Sequence, residues 1–159
     1  MYFTDMRARG PREASVEKLA RLLDAAGLGD VVEPGDLVAI KVHLGTPGNQ
    51  RHIRPHHIRV VVEKVRELGG EPFVTDTTGI SLLSPRGDAI KVLRAAAMNG
   101  ITPETVGAPI VVADGLKGFS GVAVRVEGFR LKEVEVAQAI AEADVLISLA
   151  HAKGHPRTG

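Results

Sequence analysis

Cysteine is absent from this chain of 159 residues. The absence excludes disulfide bonds, cysteine-ligated zinc and any iron–sulfur cluster bound by this chain alone. Asparagine and glutamine are scarce as well, with two of each. Because these amides are thermolabile, their scarcity favours a thermophile as the source.

The chain also has little net charge and no long apolar run. Its 20 basic and 19 acidic side chains leave a formal charge of +1, and we therefore expect no nucleic-acid partner bound by broad electrostatic attraction. No apolar run approaches the roughly 18 residues of a membrane-spanning helix, so no membrane partner is expected either. The N-terminal residues lack the apolar segment of a signal peptide, and a cytoplasmic location is predicted.

Several catalytic and cofactor-binding motifs are missing. The sequence contains no G-x-G-x-x-G or G-K-[ST] loop, which would cradle a dinucleotide or a nucleotide phosphate. It contains no G-x-S-x-G turn, which would carry a serine nucleophile. Hydride transfer from a dinucleotide and serine-type hydrolysis therefore lose most of their support.

The apolar pattern alternates between strand and helix signals. It predicts strands over 2–6, 37–43, 72–76, 109–113 and 144–149, helices over 16–26, 55–68, 88–98 and 137–143, and hairpin strands over 122–126 and 131–136. This order is typical of one α/β domain, here spanning residues 1–159. We expect a mainly parallel, Rossmann-like sheet sandwiched by helices in three layers, with a small antiparallel hairpin.

Polar side chains follow the predicted strands where each one ends. In open α/β sheets, ligands bind outside these carboxyl ends. Imidazole and carboxylate groups there suit zinc, nickel or iron, which makes a divalent transition metal the cofactor to expect. The predicted metal ligands are His43, Asp76, His151 and His155. The alternative is that both histidines of the His151-x-Lys153-x-His155 segment are solvated residues of a glycine-containing tail.

Two lysines are candidates for a catalytic role in moving a proton, Lys41 and Lys153. Lys41 lies inside an apolar strand, where an unpaired ammonium group would be costly. It therefore either pairs with a carboxylate such as Asp76 or reaches into a site. Asp114 precedes a glycine, and the pair is typical of an ordinary turn.

A basic patch precedes the second predicted helix. It contains Arg51, His52, Arg54, His56 and His57. A helix N-terminus with such neighbours can bind a phosphate or a carboxylate. The alternative is a solvated loop flank.

Five motifs together resemble those of a known family. They are V-A-I-K-V-H-L-G (38–45), I-R-P (53–55), F-V-T-D-T (73–77), A-D-G-L-K-G (113–118) and H-A-K-G-H (151–155). In this order they look like the uncharacterised iron–sulfur-centre proteins, or domain of unknown function 362. The resemblance covers nearly the whole chain and corresponds to the N-terminal part of longer family members.

The resemblance implies a function as well as a fold. Longer members continue into a glycine-rich stretch, and many then carry cysteines that hold [4Fe–4S] clusters, which this chain lacks. We therefore expect a metal- or anion-binding site at the strand ends. The alternative is a non-catalytic subunit or truncated fragment that pairs with a C-terminal polypeptide carrying the cluster ligands. An uncovered sheet edge predicts that partner or a homo-oligomer.

Overall fold

The computed structural model describes residues 1–152 and residue 154. Within them lie five α-helices and six β-strands, besides two short 3₁₀ turns. The helices are α1 (Ser15–Ala25), α2 (Pro55–Glu67), α3 (Ala89–Met98), α4 (Pro103–Val106) and α5 (Gln138–Ala141). The strands are β1 (Leu37–Val42), β2 (Glu71–Asp76), β3 (Ile110–Val112), β4 (Gly121–Arg125), β5 (Glu133–Ala137) and β6 (Val145–Leu149).

Four of the strands form one parallel sheet in the order β3-β2-β1-β6. Ile40 of β1 aligns with Val74 of β2 on one side and with Ile147 of β6 on the other. The chain moves from β1 to β2 to β3 in one direction and then returns to place β6 on the far side of β1. The strand order thus reverses between β1 and β6, and in sheets of this kind such a reversal opens a crevice at the carboxyl ends.

The main core lies between one face of the sheet and α2. Alternate residues of β1 point to this face. They meet an apolar stripe on α2, and both sets are buried: Val38, Ile40, Val42, Ile58, Val61, Val62 and Val65. Val92 and Ala96 of α3 join the same cluster. Each buried valine or isoleucine side chain of this core contributes about 1.5–3 kcal/mol to the stability of the fold.

The opposite face of the sheet is covered only in part. The single turn of α5 lies beside Leu37, Phe73 and Val111. Leu37 and Leu146 remain 49% and 53% exposed. Helices therefore flank both faces, as predicted, although the second layer is thin.

The predicted hairpin is confirmed as a separate two-stranded sheet. β4 and β5 pair in antiparallel register, with Val122 opposite Val136 and Val124 opposite Val134. These pairs give the hairpin one apolar face.

The predicted strand over residues 2–6 is wrong. The segment has no regular secondary structure and belongs to neither sheet, and Tyr2 and Phe3 are exposed. Asp5 is instead held by Lys18 of α1, with Nζ and Oδ1 2.6 Å apart. A short apolar segment forms a strand only where a neighbouring strand offers backbone partners.

The apolar pattern of the sequence does not predict α4. Its signals are local: the Thr102 hydroxyl accepts from the Thr105 amide, Pro103 occupies the first turn and Gly107 ends the helix with φ of +78°. The helix is four residues long, too short for a hydrophobic period to be visible.

Candidate functional site

Because the four strands are parallel, the residues after them gather at one edge of the sheet. His43 follows β1, Thr77 follows β2 and His151 lies two residues after β6. Lys41, His43 and Asp76 are brought into direct contact there. Lys153 and His155 lie outside the described residues, so the predicted metal set of His43, Asp76, His151 and His155 stays a prediction.

Asp76 is the buried centre of this edge. Its side chain is 4% exposed, and Oδ2 accepts from Arg86 Nη2 at 2.6 Å and from the Leu44 amide at 3.1 Å. Lys41 Nζ lies 3.6 Å from Oδ1, and Nδ1 of His43 lies 3.3 Å from Oδ2. Burial alone would raise the pKa of Asp76. The contact with His43, the Arg86 charge, the Leu44 amide and the Lys41 charge outweigh burial and hold this pKa below its usual value.

Arg86 is a member of the site that no sequence motif indicates. It lies in the irregular stretch 77–87 that links β2 to α3, and its side chain is only 16% exposed. Its guanidinium donates to Asp76 and to the Thr77 carbonyl and lies 3.1 Å from Nδ1 of His43. An arginine in a loop carries no motif signal, and only the return of the loop toward β2 places it here.

A cavity of about 220 Å³ opens between the ends of β1 and β6, where the strand order reverses. It is lined by Lys41, His43, Arg51, His52, Ile53, Leu149, Ala150 and His151. No carboxylate is among these lining residues, and two of them are permanent cations at neutral pH. The cavity is therefore suited to an anion with a small apolar part.

Lys41 both pairs with a carboxylate and reaches into a site, the two alternatives that the sequence leaves open. It pairs loosely with Asp76 at 3.6 Å, and it also lines the cavity. Its side chain is 40% exposed, so the ammonium group remains open to a ligand.

His52 supports the wall of the cavity. It is buried, and its ring nitrogens approach two carbonyl oxygens, Nδ1 that of Asn49 at 2.9 Å and Nε2 that of Asn99 at 3.1 Å. Asn99 in turn donates to the carbonyls of Leu44 and Thr46. A neutral ring donates to one of these carbonyls, and through these contacts His52 ties the loop after β1 to the end of α3.

The predicted basic patch is divided between two surfaces. Arg51 and His52 line the cavity, whereas His57 contacts the Ser15 hydroxyl at 2.9 Å and ties α2 to α1. Burial, followed by the charge of His56, lowers the pKa of His57. The patch as a whole is not one anion clamp.

Asp114 serves the turn after β3, as its sequence context indicates. Its carboxylate accepts from the Thr78 amide at 3.0 Å and from the Thr78 hydroxyl at 2.6 Å. This carboxylate braces the start of the loop that carries Arg86.

Metal ligands are sparse at this edge. Among residues 1–152 and 154, no group of three or more His, Cys, Asp or Glu side chains is arranged to hold a metal ion. His43 beside Asp76 is the part of the predicted metal set that the structure brings into contact. Nor is any helix in that part of the chain long and apolar enough to cross a membrane.

The sequence is similar to known proteins. A curated relative, thylakoid-associated protein sll1697 of Synechocystis sp., is 30% identical over 132 residues, which make up 81% of this chain and 37% of the relative. The chain thus spans little more than a third of that protein's length. No solved structure gives a significant match. The model of the family described as domain of unknown function (DUF362) matches residues 38–159, and the chain therefore belongs to the DUF362 family.

Proposed function

We propose that the cavity between β1 and β6 is a binding site for a small oxyanion, a carboxylate or a phosphate. The observation that carries the proposal is the set of donors around it. Lys41, Arg51 and His43 line a cavity that no carboxylate of the described residues lines. Charge-assisted hydrogen bonds from such groups are about twice as strong as neutral ones.

The neighbouring carboxylate does not cancel this attraction. Asp76 lies behind Lys41 and His43, and its charge is paired with Arg86 at 2.6 Å. Lys41 is farther from Asp76, at 3.6 Å, so a ligand competes for the lysine with a weak pair. Where the ligand has a carbonyl group, we propose that the Lys41 ammonium group donates a proton to its oxygen, and the same role is proposed for Lys153.

Isothermal titration with inorganic phosphate, acetate and malonate tests the site and distinguishes the two kinds of oxyanion. We expect saturable one-to-one binding of at least one of them. Lys41→Met should weaken it about tenfold or more, the effect of losing a hydrogen bond to a charged group. Lys132→Met is the matched control, because this exposed lysine lies in the loop of the hairpin.

Two results would refute the anion site. One is the absence of saturable binding for all three anions. The other is equal affinity in the native protein and in Lys41→Met, with circular dichroism showing both folded.

A divalent transition metal at His43, Asp76, His151 and His155 is a second candidate ligand. The observation that favours it is the carboxylate beside Nδ1 of His43, because metal-bound histidines are commonly oriented in this way. His151 lines the same cavity. Asp76 would then orient His43 or contribute an oxygen ligand.

Metal analysis of zinc- and nickel-reconstituted protein tests this second candidate. One equivalent of metal should be bound by the native protein and lost in His151→Ala and His155→Ala. His56→Ala, which removes an exposed imidazole on α2, should leave the metal content unchanged. A reconstituted native protein without metal would exclude the candidate.

We also propose that a polypeptide partner covers the open face of the sheet. Leu37 and Leu146 are about half exposed there. Within the described residues β6 pairs only with β1, which leaves its outer edge unpaired. The curated relative has a further 63% of its length outside the match, and a segment of that kind, carrying cluster ligands, is the partner we propose.

Sedimentation velocity distinguishes this partner from a second copy of the chain. Co-expression with the unmatched part of the relative should give a one-to-one complex, and Leu146→Lys should weaken it. Ile80→Lys, at a fully exposed isoleucine of the 77–87 loop, is the control. A dimer of the chain alone would support the homo-oligomer instead, and a monomer under both conditions would refute both.

For location, we propose the cytoplasm, since no helix of the described residues could span a membrane. The name of the relative records an association with thylakoids, and peripheral membrane association is the alternative. Fractionation of the source cells into soluble and membrane pellets decides between them.

A further inference from the structure

Nδ1 of His43 faces two groups with opposite requirements. Nη1 of Arg86 lies 3.1 Å away and Oδ2 of Asp76 lies 3.3 Å away. A guanidinium only donates hydrogen bonds, and a carboxylate only accepts them. A neutral imidazole carries either a proton or a lone pair on Nδ1, so this atom can satisfy one neighbour and not both.

The neutral ring need not give Asp76 a proton, whereas a charged ring, with a proton on both nitrogens, would donate to it. Oδ2 of Asp76 already accepts from Nη2 of Arg86 at 2.6 Å and from the Leu44 amide at 3.1 Å. Lys41 lies beside its other oxygen, at 3.6 Å. The buried carboxylate is therefore supplied with donors even when Nδ1 of His43 is unprotonated.

Arg86 has the opposite need. Its Nη2 donates to Asp76 and to the Thr77 carbonyl, whereas its Nε is buried without a partner among the described residues. A proton on Nδ1 of His43 would point at Nη1 and leave a second donor of the same guanidinium unpaired. A buried donor without an acceptor costs about 1–3 kcal/mol.

The backbone of the loop 77–87 holds Arg86 beside His43, where its guanidinium can determine which imidazole nitrogen carries the proton. The carbonyl of Arg86 accepts from the Gly79 amide at 2.6 Å, which closes the loop on itself. The neighbouring Gly87 packs so closely that a Cβ would collide with the carbonyl oxygens of Ser81 and Leu82. The arginine is thus positioned by the backbone as well as by its ion pair.

We propose that Arg86 is a positioning residue that holds the neutral His43 ring with its proton on Nε2. This nitrogen has no hydrogen-bond partner among residues 1–152 and 154, and the ring lines the cavity. The Nε2–H group of His43 is then available as a hydrogen-bond donor to a ligand in the cavity. The functional meaning of this proton rests on the proposed site, because an oxyanion accepts from N–H whereas a metal needs a lone pair. Arg86 thereby selects an anion over a divalent metal at His43.

Long-range proton–nitrogen correlation spectra of ¹⁵N-labelled protein report the tautomer directly. They are recorded at about pH 8.5, where an ordinary imidazole is neutral. The His43 signals are assigned by their loss in His43→Gln. We expect protonated Nε2, unprotonated Nδ1, and a scalar coupling between Nδ1 and Nη1 of Arg86 across their hydrogen bond.

Removal of the Arg86 guanidinium should change which nitrogen of the His43 ring carries the proton. In Arg86→Gln, the proton should move to Nδ1, facing Asp76, and the affinity for Zn²⁺ should rise about tenfold or more. The control is Arg94→Gln, which changes an exposed arginine of α3 and should leave both readouts unchanged.

Two observations would overturn the proposal: a proton on Nδ1 in the native protein, or an unchanged tautomer in folded Arg86→Gln. If Arg86→Gln does not fold, the test rests on the native protein, through the position of its His43 proton and the coupling between Nδ1 and Nη1 of Arg86. The tautomer is read without any ligand. A correct tautomer without anion binding would therefore refute the proposed function and leave the role of Arg86 standing.

Discussion

Asp76 accepts a hydrogen bond of 2.6 Å from Nη2 of Arg86, a residue ten positions further along the chain. Asp76 ends β2, and Arg86 is on the loop that leaves it. The pair is almost entirely shielded from water, with side-chain exposures of 4% and 16%. The pair closes the loop and holds the Asp76 carboxylate in place beside Lys41 and His43.

Loss of this ion pair should destabilise the fold. Arg86→Met leaves the carboxylate of Asp76 buried without its shortest contact, and removal of one partner of a buried pair costs about 3–5 kcal/mol. Urea denaturation measures the change. Arg94→Met, at an exposed position of α3, should change the free energy of unfolding by less than about 0.5 kcal/mol. Equal effects of the two substitutions would show that the Asp76 pair is not a stabilising contact.

Stability should fall at acid pH because of Asp76. Its pKa in the folded protein lies below the ordinary value of 3.8, so the unfolded chain binds the proton more readily. The contribution is complete above pH 3.8 and is lost as the pH falls through the folded pKa. The free energy of unfolding, measured from pH 6 down to about pH 2, should therefore decline less steeply in Asp76→Asn. Glu127→Gln is the exposed control, and a decline in Asp76→Asn as steep as in the native protein would contradict the assignment.

Gly45 should resist substitution more strongly than Gly35. Both have positive φ, +83° and +93°, so alanine at either position costs about 1–2 kcal/mol through the backbone. Only at Gly45 would the new methyl group collide with another residue, the amide of Asn99, whereas Gly35 has open space. Thermal unfolding of Gly45→Ala and Gly35→Ala separates the two effects. Identical losses would mean that Asn99 moves aside freely.

The core face should be far more sensitive than the loop. Ile58 of α2 is fully buried, and Ile58→Ala should cost about 2–5 kcal/mol. Ile80→Ala removes the same atoms from a fully exposed side chain and should cost less than about 0.5 kcal/mol. Chemical denaturation of both variants measures the difference, and a cost below 1 kcal/mol at Ile58 would be inconsistent with the packing.

Much of the fold could be predicted because its elements have strong local signals. The apolar run at β1 and the stripe at Ile58, Val61, Val62 and Val65 are visible as patterns, and the structure places them face to face. The segment 2–6 shows where that logic stops. It contains apolar residues, but it belongs to neither sheet of the described residues.

The candidate site was predicted in part. Lys41, His43 and Asp76 follow from the rule that ligands bind at the carboxyl ends of parallel strands. The structure brings Lys41 and His43 within 3.6 Å of Asp76. Arg86 could not be predicted, because its place depends on how an irregular loop folds back. His52 and His57 look alike in the sequence, yet one supports the cavity and the other joins two helices.

The sequence by itself determined the α/β class, the absence of cysteine chemistry and the residue types at the strand ends, because these depend on composition and on local periodicity. The tertiary structure decided the strand order, and with it the position of the cavity between β1 and β6. It also decided that Arg86, rather than a second carboxylate, stands beside His43 and Asp76. The proposed hydrogen bond at His43, donated by Arg86 to Nδ1, follows from this neighbour. A local sequence pattern could not predict it, because His43 and Arg86 are far apart in the chain.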